Sequence, residues 1–347
     1  MKVNKSYSRC SNCGGEMVFC PTTFALMCDN CGTTEKIKSE NSNEKHIYNE
    51  NIIENSQKTT KTIKCSNCGA EIPVVKNEIT KSCPYCGSKF VIDVEDLDGL
   101  KPDLIIPFKF DREKAIEYYK LGVKKKFFAP KAFKKAPNLD SLHGTYIPCF
   151  SFDSNTKSSY NGSLRIAHRT TINGRTETTY STRHISGKKD LDFKNFLIES
   201  SVLAQQESFE QIKPFIFDER STYKYNADFI RGYEVENYTD SLKSCKLLSE
   251  TYMKEKIKNA ILMEYHYDSV NYFNLTTTFN DNKYAYILVP VYFIDFKYKN
   301  KNYRNYLNGQ TGKLGNNLPK SGWKIFFCII LPILLVVAGF VLLSIFA

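Results

Sequence analysis

Eight of the chain's 12 cysteines fall into one repeated spacing. Cys10-x2-Cys13 is followed after 14 residues by Cys28-x2-Cys31, and Cys65-x2-Cys68 after 14 residues by Cys83-x2-Cys86, so the second set repeats the first at an offset of 55. The neighbours repeat too: Cys10-Ser-Asn-Cys13-Gly-Gly-Glu16 against Cys65-Ser-Asn-Cys68-Gly-Ala-Glu71. Glycine follows the second cysteine of every pair (Gly14, Gly32, Gly69, Gly87). It lets the backbone turn tightly enough for amide groups to face the thiolates. Two such turns gather four sulfurs at about 2.3 Å from one cation, a donor set that favours zinc. Iron and disulfides are the alternatives, and a reducing compartment disfavours disulfides. Four thiolates leave no position open for water, so two structural Zn2+ ions are expected. Each unit is too short to hold a core alone, and metal binding supplies on the order of 10–16 kcal/mol of its folding free energy. Cys20 reads as a small buried thiol, and Cys149, Cys245 and Cys328 as apolar positions.

Other chemistry is thinly marked. Gly309-Gln-Thr-Gly312-Lys313-Leu314 has the wrong spacing for a phosphate-binding P-loop and lacks the hydroxyl after the lysine, so it reads as a turn. The five histidines (His46, His143, His168, His184, His266) form no close pair in sequence, although His168 and His184 are expected to face each other across a hairpin. Catalytic residues are assigned to none of these positions, and the chain is expected not to be an enzyme. A carboxylate pair assembled in three dimensions keeps an enzyme with a site in the central domain as an alternative.

The elements that must carry the cysteines divide the chain into a first zinc ribbon (1–37), a flexible linker (38–62), a second ribbon (63–95), an α+β domain (96–320) and a transmembrane anchor (324–347). The linker is rich in Asn, Glu, Ser, Lys and Thr and lacks a sustained apolar face. In the α+β domain Asp111 is placed to cap a helix ending near Phe128, before Pro130. Further helices are expected near Ser200–Ile212 and over Asp240–Glu264. Alternating Thr, Tyr and Ser over Tyr146–Arg183 predict strands, with hairpin turns at Asn161-Gly162 and Asn173-Gly174. Strands return at Ser269–Phe279, Tyr284–Tyr298 and Asn302–Leu307. A faint internal echo links Tyr146-Ile-Pro148 with Tyr286-Ile-Leu-Val-Pro290.

Ile325–Ala347 is uncharged and interrupted only by Pro332, Gly339 and Ser344. As a helix its 23 residues reach about 34 Å, against a hydrocarbon core of about 30 Å. Lys320, Trp323 and Lys324 flank its N-terminal side, so the positive-inside rule puts the bulk of the chain in the cytoplasm of a single-pass cell-membrane protein. No signal peptide is expected at the polar N-terminus.

Formal net charge is +11, but residues 1–100 hold 12 Lys and Arg against 13 Asp and Glu. Ribbons that neutralise phosphates should be basic, and these are not, which disfavours nucleic acid. The positive excess begins after residue 100. Lys124, Lys125, Lys126, Lys131, Lys134 and Lys135 cluster with Phe127, Phe128 and Phe133, a composition suited to a solvated helix face, an anionic lipid surface or a phosphate backbone.

Together with the paired ribbons, the stretches Lys213-Pro-Phe215, Arg231-Gly-Tyr233-Glu234, Tyr286–Pro290, Asn308-Gly-Gln-Thr-Gly-Lys313 and Leu318-Pro319 before the apolar segment resemble a bacterial family. Its members are membrane-anchored double zinc-ribbon proteins, labelled TFIIB-type zinc-ribbon or PriA-like. Cys149-Phe150 and Tyr292 stand where that pattern has larger aromatics. The resemblance implies association with envelope-stress modules containing PspA-like proteins. The expected function is therefore a membrane-anchored cytoplasmic adaptor that binds protein partners. A nucleic-acid-binding ribbon protein of the transcription or replication kind is the main alternative.

Overall fold

The computed structural model describes residues 9–50, 61–64, 70–74, 79–82, 84–85, 89–91, 99–135, 141–172, 175–201 and 206–346. Cys65, Cys68, Cys83 and Cys86 lie outside them, as does the expected turn at Asn173-Gly174. The chain is mixed α+β. Strands β1 (Met17–Cys20), β2 (Ala25–Cys28) and β3 (Thr34–Lys36) form an antiparallel sheet in that order. A two-residue β4 (His46–Ile47) follows. In the second cysteine region β5 (Lys61–Lys64) pairs with β6 (Glu71–Val74), and β7 (Thr80–Ser82) with β8 (Lys89–Val91).

The remaining elements build the main body. They are β9 (Leu104–Ile105), α1 (Arg112–Lys125), α2 (Lys131–Lys135), β10 (His143–Ile172), β11 (Arg175–Glu199), α3 (Gln206–Ile212), β12 (Tyr223–Lys224), β13 (Glu234–Val235), α4 (Leu242–Leu262), β14 (Ser269–Tyr298), β15 (Lys301–Asn308), α5 (Gly322–Ile325) and α6 (Leu331–Phe346). Among the described residues, eight strands share one sheet along the path β11-β10-β14-β9-β12, with β13 on β10 and with β4 and β15 on β14. Asp111 caps α1 as the sequence predicts, its carboxylate accepting from the Lys114 amide at 2.9 Å, and Ser241 caps α4 in the same way.

The middle of β14 is apolar on both faces because both are covered. Tyr286, Leu288, Tyr292 and Ile294 enter the core that also holds α1 and the N-terminal sheet. Ala285, Ile287, Val289, Val291 and Phe293 enter a second core with Phe209 and Ile212 of α3. The echo between Tyr146–Pro148 and Tyr286–Pro290 has a physical basis here. The two segments pair antiparallel, Tyr146 opposite Pro290 and Pro148 opposite Leu288. Each proline marks the point where its strand's outer edge changes partner. At Pro148 the neighbour passes from β13 to β11, and at Pro290 from β9 to β15. A missing N–H is tolerated at such a junction.

Two predicted breaks are absent. Asn161-Gly162 is no turn: β10 runs through it, with Gly162 opposite Phe273 on one side and Ile185 on the other. Glycine is required there by close approach, since a Cβ would lie 2.9 Å from the Tyr272 carbonyl oxygen. The gap expected between Phe279 and Tyr284 is a bulge within β14 at Asp281, whose φ is 49°. A matching irregularity in β11 sits at Asn195, with φ 54°. Both flank Asp153 of β10, whose carboxylate accepts from the Asn195 amide at 2.7 Å and pairs with Lys45. Beyond this level β10, β11 and β14 leave the body as a three-stranded arm. One side of the arm is covered by α4 through Tyr160, Leu164, Ile185, Ile257 and Ile261. The other side is open, carrying Lys157, Ser159 and Asn161. The third strand starts opposite Arg165, so Ile166–Ile172 and Arg175–Ser181 pair only with each other, as a two-stranded ribbon.

The linker expected over 38–62 is corrected in its first part. Asn41 bridges to Tyr223, β4 pairs with Lys283 and Tyr284, and the Lys38 carbonyl accepts from Asn226 at 2.7 Å. Those polar residues need no apolar face, because they satisfy backbone groups at the sheet edge.

The apolar C-terminal segment is a helix, and none of the stretch Gly322–Gly339 is buried. It is long and apolar enough to cross a membrane. A π turn over Phe326–Ile330 precedes Pro332, where a regular helix would have the proline ring against the Cys328 carbonyl.

Candidate metal centre

The Sγ atoms of Cys10, Cys13, Cys28 and Cys31 all lie within 4.8 Å of one another. Cys10 and Cys31 are 3.4 Å apart, and Cys13 and Cys28 3.5 Å. Sulfurs at about 2.3 Å around one tetrahedral centre would be about 3.8 Å apart, so this cluster fits a metal ion. Its two halves are built alike. The Gly14 amide donates to the Cys10 carbonyl at 2.8 Å and the Gly32 amide to the Cys28 carbonyl at 2.9 Å. Both glycines are left-handed, with φ of 71° and 73°, the conformation the sequence reading required of them. Gly15 is needed for a different reason: a Cβ would stand 3.0 Å from Cys28 Sγ and 3.3 Å from Cys13 Sγ, filling the space between the sulfurs.

The surroundings treat the four thiols unequally. The Thr33 hydroxyl, 3.1 Å from Cys31 Sγ, together with the Thr33 amide and the neighbouring thiols, holds Cys31 down at about 6. Cys13 receives the Gly15 amide, but the adjacent Cys31 and Cys28 thiols outweigh it and push the group up to about 11. Asn30 donates to Cys13 from 3.7 Å. Cys10 and Cys28 are buried and Cys13 and Cys31 exposed, so the cluster closes one edge of the molecule with half its sulfur facing solvent. Cys20 is buried, as expected, 3.0 Å from the Thr22 hydroxyl. Cys149 and Cys245 are also buried, whereas Cys328 is exposed on the apolar helix.

The cluster belongs to the main core and is no separate knuckle on a tether. Phe19 meets Phe229 edge-on at 5.3 Å, and its amide donates to the Arg231 carbonyl at 3.1 Å. Phe24 adopts a left-handed φ of 52°, which brings its ring to 5.2 Å from Tyr223 and 5.3 Å from Phe229. Gly232, at φ 85°, accepts Val18 so closely that a Cβ would be 3.0 Å away. The Arg231-Gly-Tyr233 stretch is therefore where the body receives the N-terminal sheet. Sequence reading missed Phe19 and Phe24 as docking residues, although the apolar run Met17–Phe19 facing Ala25–Met27 was a visible signal.

The lysine cluster is only partly brought together. Lys124 and Lys125 end α1, Lys126 caps it, and Lys131, Lys134 and Lys135 lie in α2. The Lys134 ammonium donates to the Lys124 carbonyl at 2.8 Å, closing the corner between the helices. Phe133 turns inward, its ring 4.8 Å from Phe296, while Phe127 is 60% exposed. His168 and His184 are not cross-strand partners: Thr179 faces His168 and Ser163 faces His184. The turn after β15 is held by the Asn308 carboxamide, which accepts from the Gln310 and Thr311 amides at 2.8 and 2.9 Å.

A cleft of about 660 Å³ beside β4 is lined by Lys45, His46, Asp103, Asp153 and Lys224 among others. Three ion pairs border it: Lys45 with Asp153, His46 with Asp103 at 2.8 Å, and Lys224 with Glu40 at 2.9 Å. Burial pulls the Lys45 ammonium down despite its partner.

No family model matches the chain, and no solved structure matches it. It is similar to the uncharacterized protein YdjG of Bacillus subtilis (strain 168), with 29% identity over 332 residues that cover 91% of each chain.

Proposed function

We propose that this chain is a membrane-anchored zinc-ribbon adaptor: two structural Zn2+ ions at its cysteine sets, a single C-terminal span, and the bulk of the chain on the cytoplasmic side. The observation that carries the reading is the placement of the four-thiolate cluster in the core from which the arm and the apolar helix both extend. Four sulfurs complete a tetrahedral zinc shell and leave no site for substrate, so the metal acts through folding. The equivalent spacing of Cys65, Cys68, Cys83 and Cys86 supports a second ion. The arm exposes a polar face and a ribbon far larger than its packing on α4 requires, and protein partners fit such a surface. Tethering raises the effective concentration of partners at the membrane.

Crosslinking and affinity purification from native membranes test this. Wild type is compared with Cys65→Ser/Cys68→Ser and with a chain whose 166–181 ribbon is replaced by a tight turn. Specific proteins lost from either variant would support the adaptor reading; identical partner sets in all three would defeat it. Nucleic acid is the second reading, favoured by Arg169 on the ribbon and Arg165 and Arg183 at its base, with Glu177 as the one acid between positions 165 and 183. Retention on DNA or RNA that falls steeply with salt would select it.

A further inference from the structure

The corner between α1 and α2 is fastened to the foot of the apolar helix. The Lys324 ammonium donates to the Phe127 carbonyl at 2.7 Å and to the Ala129 carbonyl at 2.9 Å. It also stands 5.4 Å over the Phe127 ring, and the Ser321 amide donates to the Phe128 carbonyl at 2.8 Å. These contacts hold the exposed Phe127 at the helix foot, where Trp323, one residue before Lys324, is 73% exposed and stacks on Phe327 at 5.9 Å. Lys124, Lys125, Lys131 and Lys320 are exposed around them. There is no Asp or Glu anywhere in 120–135 or 318–324.

A solvated helix face would explain the lysines alone. It explains neither the two exposed aromatic rings, Phe127 and Trp323, nor the hydrogen bonds that hold the α1–α2 corner against the helix foot. Aromatic rings at the start of an apolar helix sit at headgroup depth, and lysines at that depth meet lipid phosphates. We propose that this collar is a binding site for anionic lipid headgroups, in which Phe127 and Trp323 enter the interface and Lys124, Lys125, Lys131 and Lys320 contact phosphate diesters. The proposal rests on the membrane reading above, and it goes further in assigning a lipid class and the residues that select it.

Trp323 is the chain's single tryptophan, so its fluorescence reports from the collar itself. The full chain is reconstituted in phosphatidylcholine vesicles containing the same mole fraction of either brominated phosphatidylglycerol or brominated phosphatidylcholine. The expected result is at least twofold stronger quenching by the anionic lipid. That excess should vanish in 0.5 M salt and in Lys124→Gln/Lys125→Gln/Lys131→Gln. It should persist in Lys157→Gln/Lys188→Gln/Lys243→Gln, which removes equal charge from exposed positions on the arm and α4. Equal quenching by both lipids would overturn the collar while leaving the span intact. Loss of the excess in both triple variants would reduce it to an effect of net charge and overturn it likewise. No quenching by either lipid would overturn the span and the collar together. Displacement of the anionic lipid by a duplex oligonucleotide at equal phosphate concentration would reassign the patch to nucleic acid.

Discussion

At the scale of single residues, the chain uses glycine in three distinct ways. Gly14 and Gly32 supply left-handed turns, Gly15 leaves room between sulfurs, and Gly162 lets two strands approach. Only the first use is written in a local motif. The cluster's buried sulfurs belong to Cys10 and Cys28, so Cys28→Ser should remove one metal equivalent per chain, read by elemental analysis, and lower the thermal midpoint. One carboxyl, Glu199, makes stability depend on pH. Burial, with Asp240 and Glu236 nearby, pushes the Glu199 carboxyl up to about 7 against the opposing Ser201 amide and Lys213. Between the ordinary glutamate range and pH 7 the folded chain keeps a proton that the unfolded chain has released. Stability therefore falls as pH rises through that window. Glu199→Gln should be more stable than wild type by about 1–3 kcal/mol at pH 8, with the difference gone near pH 4, as thermal unfolding at the two pH values will measure.

At the scale of elements, what matters is which surfaces meet. The N-terminal sheet is held by Phe19 and Phe24 against Phe229 and Tyr223. Truncation of a buried phenylalanine costs about 3–5 kcal/mol. Phe19→Ala should therefore free the sheet from the body, which limited proteolysis will read as new cleavage between residues 31 and 45, while Cys10, Cys13, Cys28 and Cys31 still bind metal. In the arm, Gly162→Ala must push against the Tyr272 backbone, and about 1–3 kcal/mol of stability should be lost in thermal or denaturant melts. Both effects arise at contacts between segments far apart in the chain.

At the scale of the whole molecule, the body is a junction. The cysteine cluster enters it on one face of the main sheet, the arm continues that sheet outward, and the apolar helix leaves from the α1–α2 corner. Removing residues 322–347 should move the protein from the membrane to the soluble fraction on ultracentrifugation; a truncated chain that still pellets with membranes would mean a further anchor. The truncated body should keep its fold, because Phe133 closes the corner on Phe296 and Tyr298 without help from the helix.

The sequence by itself determined what depends on covalent spacing and short-range periodicity. That covers the four-sulfur cluster of Cys10, Cys13, Cys28 and Cys31, the cap at Asp111, the presence of helices α1 and α4, and the apolar helix. Each is set within a few turns of chain, where residue type dictates backbone conformation directly. Tertiary structure decided the rest: that Asn161-Gly162 is mid-strand, that Pro148 and Pro290 mark changes of strand partner, that residues 41–48 edge the sheet, and that Phe127 meets Lys324 across nearly 200 positions. These follow from pairings between segments far apart in the chain. A glycine or proline there answers to a neighbour that local sequence does not name.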